Sequence, residues 1–247
     1  SGQAVCWSGD WQLRWDLSPL GYLSMAAHGH LDALHLSLWL GNVALVIDPG
    51  TGAYYGDTRL RTWLASWAAH NGPRIPNGEF PKRLGPFLWE THHAIPKWRV
   101  IDSATMSGEL VLPQGTASRQ IRRIHQDGED GWEIDDLVTP SAESSSASFE
   151  VSWQFAPGTV LRANPETPTL FSGERKGVRF TVGLDAAWSR IQWFPETSAS
   201  LGFPIEGDLQ GLCSPSFRRV QSGPLIMLRA IGGNPRRYRT TILAARA

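Results

Sequence analysis

Two histidines one residue apart, His28 and His30, are followed at the same interval by Asp32. Two further polar residues close nearby segments: Asp48 in Ile47-Asp48-Pro49-Gly50, and His70 in Ala68-Ala69-His70-Asn71. Neutral imidazoles and carboxylates are good ligands for Zn²⁺, and two histidines with one aspartate would leave a fourth position for water or a substrate oxygen. If Ala27–Ala33 is extended, His28, His30 and Asp32 point to one side, because residues i, i+2 and i+4 of a strand share a face. The apolar stripe Leu34, Leu36 and Leu38 follows at once, and burying an unpaired polar group there costs about 2–7 kcal/mol. The residues alone leave two readings open: a metal site, or a hydrogen-bonded polar cluster without metal.

The elements that must position these groups read as strands. Val5–Leu17 is a hairpin turning at Ser8-Gly9-Asp10, and Ala33–Leu40 with Val43–Ile47 is a second hairpin around Gly41-Asn42. A two-residue turn pairs Leu40 with Val43 and, by counting, His35 with Asp48, which puts Asp48 on the face of His35 rather than of His30. Bringing Asp48 to His30 then requires a longer turn, a bulge, or a bend at Gly29 and Pro49. Leu60, Trp63, Leu64 and Trp67 recur at helical spacing within Asp57–Ala69, and Asp57-Thr58 offers an N-cap. Pro73–Pro96 and Ser141–Ser148 read as loops. Short apolar runs recur between turn signals at Trp98–Ile101, Met106–Leu112, Ser118–Gln126, Gly131–Val138, Ser148–Phe155, Gly177–Leu184, Trp188–Phe194, Pro224–Ala230 and Thr240–Ala244. This pattern predicts an all-β fold. It is a large multi-stranded antiparallel β-sandwich with one short helix, in which residues 1–247 form one domain.

Lysine plus arginine and aspartate plus glutamate both number 23, so the formal net charge is zero and no general field draws the chain to nucleic acid or an anionic membrane. The clusters Arg119, Arg122 and Arg123; Arg218 and Arg219; and Arg236, Arg237 and Arg239 read as solvated strand faces or edges. The most apolar window, Leu31–Ile47, is broken by His35, Gly41 and Asn42 and predicts no membrane insertion. The 12 tryptophans suit a sheet core, and they also suit carbohydrate contact, because a sugar's C–H face packs on an aromatic ring. Cys6 and Cys213 make no disulfide framework and read as free thiols. His35 reads as structural, and His125 as exposed. Nothing matches a dinucleotide fingerprint, a phosphate-binding loop or a nucleophile elbow, and adjacent acids such as Asp135-Asp136 read as solvated.

The motifs His28-Gly-His30-Leu-Asp32-Ala-Leu, Leu45-Val-Ile-Asp48-Pro-Gly-Thr51 and Ala68-Ala-His70-Asn71 resemble, in order and spacing, the central sandwich segment of the heparinase II/III-like polysaccharide lyases. The match runs along Gly9–Asn71, and Trp193–Thr241 more loosely resembles the family's C-terminal sheet region. The resemblance implies the C-terminal part of a longer protein, packed against its own N-terminal α/α toroid, with the active site in the cleft between them. It implies cleavage of uronate-containing acidic polysaccharide by β-elimination, with His28 as the catalytic histidine and His30, Asp48 and His70 holding a structural Zn²⁺. Tyr54, Tyr55 and Asn71 are candidate substrate-binding residues. The catalytic tyrosine and the group that neutralises the substrate carboxylate would lie in the toroid, so little activity is expected of this chain alone. The substrate class implies a periplasmic or secreted protein. The family often carries an arginine shortly before Ala-Ala-His-Asn. Here Ala65 and Ser66 stand near that place, and Arg59 and Arg61 lie further back. The alternative is a non-catalytic carbohydrate-binding or scaffold module that retains the metal site and binds through tryptophans such as Trp89 and Trp98.

Overall fold

Strands form where apolar residues alternate between turn residues. In chain order they are β1 (Gln3–Ser8), β2 (Trp11–Asp16), β3 (Leu36–Leu40), β4 (Val43–Val46), β5 (Lys97–Val100), β6 (Thr105–Leu112), β7 (Gly115–Gln126), β8 (Glu129–Pro140), β9 (Phe149–Gln154), β10 (Val160–Ala163), β11 (Leu170–Arg175), β12 (Val178–Leu184), β13 (Arg190–Phe194), β14 (Leu212–Ser216), β15 (Arg219–Ser222), β16 (Leu225–Ala230) and β17 (Tyr238–Ala245). One α-helix, α1 (Thr58–Leu64), and a 3₁₀ turn at Trp67–Ala69 join them. The computed structural model describes residues 2–76, 80–141, 148–196, 208–232 and 236–245; of the expected loop Ser141–Ser148, residues 142–147 lie outside these.

Two layers face each other. One is an eight-stranded antiparallel sheet in the order β10-β11-β12-β17-β8-β7-β6-β5. The other joins the four-stranded sheet β1-β2-β3-β4 to the three-stranded sheet β13-β16-β9, where Val46 bridges Phe155 and the Ile47 N–H donates to the Gln154 carbonyl at 3.1 Å. Trp11, Leu13 and Trp15 of β2 with Leu36 and Leu38 of β3 fill the space against Leu110, Ala117, Ile121 and Ile134. The layers approach so closely at Gly108 that an added Cβ would lie 2.7 Å from the Trp15 ring. The hairpin β14–β15 stands apart on a small core of its own, Leu212 and Val220 packing with Leu60 and Leu64 of α1.

The expected elements change in four places. The helix is shorter than Asp57–Ala69: α1 is capped by Asp57, whose carboxylate accepts from the Leu60 N–H at 2.9 Å, and it stops at Leu64, where the Ser66 N–H turns back to the Trp63 carbonyl. The hairpin β3–β4 carries a bulge, because Leu40 pairs with Val43 and Trp39 with Ala44, whereas Leu38 pairs with Val46. The segment Ala27–Ala33 is not extended. Ala26, His28 and Leu34 adopt positive φ (47°, 59° and 66°), which folds the chain back on itself. Finally, Arg119 does not belong to a solvated face. It shares the inner face of β7 with Ala117 and Ile121, is wholly buried, and forms a bidentate pair with its cross-strand neighbour Asp136 (2.7 and 2.8 Å). Arg122 and Arg239 keep outer positions and pair with Glu133 and Asp135, and Arg236 pairs with Asp185. Arg123 follows Ile121 on the inner face at the end of β7, where it is only partly exposed, pairs with Asp130 and donates to the Ser8 carbonyl at 2.7 Å. Cys6 and Cys213 are both free, as read, with Cys6 Sγ 3.4 Å from Met106 Sδ.

Candidate functional site

The loop before β3 is held by main-chain bonds, not by strand pairing. Tyr22 and Ala27 form a two-residue bridge, the His28 N–H donates to the Phe87 carbonyl at 2.8 Å, and the Leu31 N–H donates to the Ala65 carbonyl at 3.0 Å. Gly29 is required by close approach: a Cβ there would lie 2.6 Å from Gly21 N. The left-handed turn at His28 undoes the shared face expected of His28, His30 and Asp32, since period-two alternation holds only for extended backbone. His28 instead points outward and is exposed, while His30 and Asp32 turn inward towards His70.

In the inward pocket, ligand atoms of His30, Asp32 and His70 all lie within 4.8 Å of one another. Asp48 Oδ2 is 3.6 Å from His70 Nε2, so the expected trio of His30, Asp48 and His70 is brought together with Asp32 added. His35 also reaches the cluster, its ring centroid 5.4 Å from that of His70. His70 is wholly buried. Its Nδ1–H donates to the Ser66 carbonyl at 2.8 Å, which fixes the tautomer and leaves the Nε2 lone pair facing the pocket without a hydrogen-bond partner. An orphaned imidazole nitrogen among a second histidine and two carboxylates is a donor set that suits Zn²⁺. His30 Nε2 accepts from Arg61 Nη1 at 2.7 Å, which brings the α1 guanidinium to this ring. Arg61, on α1, is the member of the site that the sequence pattern left unassigned.

Burial and charge move the ionisable groups of the pocket in different directions. Burial, with His70 adding, pushes the His30 pKa down to about 3, and burial likewise brings His35 to about 3. His35 Nδ1 accepts from the Asn71 N–H at 3.2 Å and Nε2 lies 3.2 Å from Ser37 Oγ, an arrangement that needs the neutral ring. Burial, together with the charges of Asp16 and Asp48, raises Asp32 to about 7. For Asp48 burial works the other way from the outcome: His70, His35 and His30 outweigh it and hold the carboxyl below the usual range. Burial disfavours a charged His70, but Asp48 and Asp32 outweigh that and raise its pKa.

Above the pocket the exposed His28 ring lies among aromatics. Its centroid is 5.5 Å from that of Tyr54 and 5.2 Å from that of Phe87, and Tyr54 in turn meets Phe87 at 5.3 Å and Phe217 at 5.2 Å. Tyr55 meets Phe87 at 6.0 Å and is 83% exposed. Phe87 and Phe217 come from distant segments and carry no local motif. Asn71 is placed differently from Tyr54 and Tyr55. It is wholly buried, its amide bonds to both Leu36 backbone groups (2.7 and 2.6 Å) and to Arg119 (2.8 Å), and it offers a ligand no surface. Its contacts make it a positioning residue, tying the segment after His70 to the sandwich. The two expected tryptophans also part company: Trp98 is 51% exposed, but Trp89 is a core residue whose Nε1–H donates to the Gly29 carbonyl at 3.0 Å.

A family model described as heparinase II/III-like, C-terminal, matches residues 1–218. No curated protein matches the chain. Among solved structures, the fold is similar to that of a heparinase III, with a TM-score of 0.69 and 18% identity over 100% of this chain and 35% of the other. It is also similar to the heparan sulfate lyase HepC from Pedobacter heparinus, with a TM-score of 0.65 and 13% identity over 96% of this chain and 33% of that one. This chain therefore spans about a third of the length of the solved structures it matches. No helix among the described residues is long and apolar enough to cross a membrane.

Proposed function

Because the chain belongs to the heparinase II/III-like C-terminal family, we propose that it is the sheet domain of a polysaccharide lyase that cleaves uronate-containing acidic polysaccharide by β-elimination. The observation that carries this reading is the division of labour along one loop. His28 is exposed on an aromatic lip, while His30 and Asp32, within four residues of it, turn into a buried pocket with His70 and Asp48. That is the arrangement expected of a reactive imidazole whose backbone is clamped from behind.

In β-elimination a base removes the proton α to the uronate carboxylate, the electron pair forms the C4–C5 double bond, and the glycosidic C4–O bond breaks. The leaving oxygen ends with a proton. An imidazole carries one ring nitrogen that can accept a proton and one that can give it, which suits His28 to either transfer. Tyr54, Tyr55 and Phe87 flank it as apolar surface on which a sugar ring rests. A Zn²⁺ ion held by His30 and His70 with Asp48, and with Asp32 beside them, would supply a structural tether there. The chain's own part is the orientation of that tether: Ser66 aims His70, Asn71 and Arg119 hold the following backbone, and Leu31 is bonded to Ala65. An N-terminal α/α toroid would complete the cleft and supply the remaining proton-transfer and carboxylate-neutralising groups. A polymer substrate implies work in the periplasm or outside the cell.

The test is turnover by the full-length protein, read as ultraviolet absorbance of the new double bond. His28→Ala should abolish the absorbance and leave oligosaccharide affinity in place, whereas a non-catalytic binding module would show no absorbance with either protein. Absence of the signal from wild type on every uronate polymer tried removes the lyase reading.

A further inference from the structure

The hairpin β14–β15 takes no part in the sandwich, yet it is held firmly against the site. Its strands rest on α1 through Leu212, Val220, Leu60 and Leu64. The Ser214 N–H donates to the Pro49 carbonyl at 2.6 Å, one residue after Asp48, and the Arg218 N–H donates to the Gly52 carbonyl at 2.9 Å, two residues before Tyr54. Gly50 lies so close that a Cβ there would be 2.2 Å from the Ser214 carbonyl oxygen. The same segment that carries Asp48 to Tyr54 thus anchors the hairpin along its length.

Ser216 pairs with Arg219, so Phe217 and Arg218 form the two-residue tip. Arg218 takes the left-handed conformation (φ 61°), a costly choice for a residue with a side chain. Phe217 is 57% exposed and leans on Tyr54, the ring beside His28. Arg218 and Arg219 are exposed, and among the described residues neither has a side-chain hydrogen bond or ion pair. This separates them from Arg122, Arg123, Arg236 and Arg239, each of which has a carboxylate partner. A clamped turn that presents an apolar ring and two uncompensated guanidinium groups at one edge of an aromatic lip fits an anionic sugar. The ring takes the C–H face, and the guanidinium forks take carboxylate or sulfate oxygens.

The geometry points to the β14–β15 tip as an anionic-sugar subsite, with Phe217, Arg218 and Arg219 gripping the polymer beside the unit that reaches His28. This rests on the lyase reading and adds the residues that select for charge along the chain.

The test is calorimetric binding of two hexasaccharides to the 247-residue chain, one of sulfated heparan sulfate and one of unsulfated heparosan, at several salt concentrations. Arg218→Ala/Arg219→Ala is expected to weaken the sulfated probe about tenfold and flatten its salt dependence. Phe217→Ala should weaken both probes about fivefold. Arg162→Ala/Arg190→Ala removes the same charge from exposed positions on β10 and β13 and should leave both affinities in place. A larger effect of the double arginine variant on the sulfated than on the unsulfated probe assigns the guanidinium groups to sulfate, and an equal effect assigns them to the uronate carboxylate. Melting temperatures equal to wild type certify that the exposed tip has been changed without unfolding. Wild-type binding with tip variants within twofold of it overturns the subsite alone, as does an equal loss in the Arg162/Arg190 control. A wild-type chain that binds neither probe also overturns the subsite alone, because the lyase reading stands or falls on turnover by the full-length protein.

Discussion

Replacing Arg119 with methionine should destabilise the domain by about 5 kcal/mol, through polar groups left behind more than through lost volume. The guanidinium is wholly buried on the inner face of β7, with its carbon 5.2 Å from the centroid of Trp153. Nε and Nη2 hold both oxygens of Asp136, also wholly buried, and Nη1 donates to the Leu34 carbonyl at 2.9 Å and to Asn71 Oδ1 at 2.8 Å. Nη2 also serves the Asn71 carbonyl. Removing one partner of a buried ion pair costs about 3–5 kcal/mol, because the survivor keeps its desolvation penalty. The two backbone carbonyls left without this donor add about 1 kcal/mol each. Arg119→Met/Asp136→Leu removes the stranded carboxylate and should regain about 3 kcal/mol, leaving about 2 kcal/mol for the carbonyls. Urea unfolding with chelator present measures all three proteins, and an unchanged m-value shows that the same surface is exposed in each. A loss below about 1 kcal/mol in the single variant, or a double variant no better than the single, would falsify the claim that this pair ties the site to the sandwich.

The remaining expectations concern the pocket. Metal analysis should find about one zinc per chain, lost in His70→Ala and His30→Ala; zinc at a hundredfold its Kd should add about 2.7 kcal/mol of stability to wild type and none to His70→Ala. His35, held at about 3 in the fold against an ordinary value near 6.5, contributes stability that is complete above pH 6.5 and lost as pH falls towards 3. His35→Gln should reduce the slope of stability against pH in that window, measured without metal, by about 1.4 kcal/mol per pH unit, the worth of one proton. An unchanged slope would show that the buried His35 ring is not what titrates. Gly29→Ala places a methyl 2.6 Å from Gly21 N and 2.7 Å from Leu20 Cδ1, so it should weaken zinc affinity by displacing the His28–His30 loop, and unaltered affinity would mean that the loop yields freely.

Much of this was legible in the sequence, for identifiable reasons. The hairpin β1–β2 and the strand β7 follow from alternation, because β2 and the first half of β7 turn every second side chain into the core. The His30, Asp48 and His70 grouping was legible only as a pattern of motifs, and the register objection to Asp48 named the bulge that the hairpin contains. What stayed hidden depends on geometry without a local signal. Positive φ at Ala26, His28 and Leu34 is imposed by tertiary bonds and not by residue type, since none is a glycine or asparagine. His30 and Asp32 stay on one side, as i, i+2 spacing suggests, and it is His28 that this turn sends the other way. Arg119 does carry a signal: Ala117, Arg119 and Ile121 alternate, so an arginine on the apolar face announces a buried partner. Phe87 and Phe217 meet the lip from segments far away in sequence, and spacing cannot reveal such a meeting. The strands β14 and β15 escaped because Pro215 and an irregular register break their alternation.

The four leucine and valine side chains beneath the hairpin, Leu60, Leu64, Leu212 and Val220, form an island separate from the principal core. Mutations at the tip are therefore insulated from the load that holds the two great sheets together. Such a layout lets natural selection, or a protein engineer, retune what the rim offers a ligand while the histidine–aspartate pocket and its scaffold stay as they are.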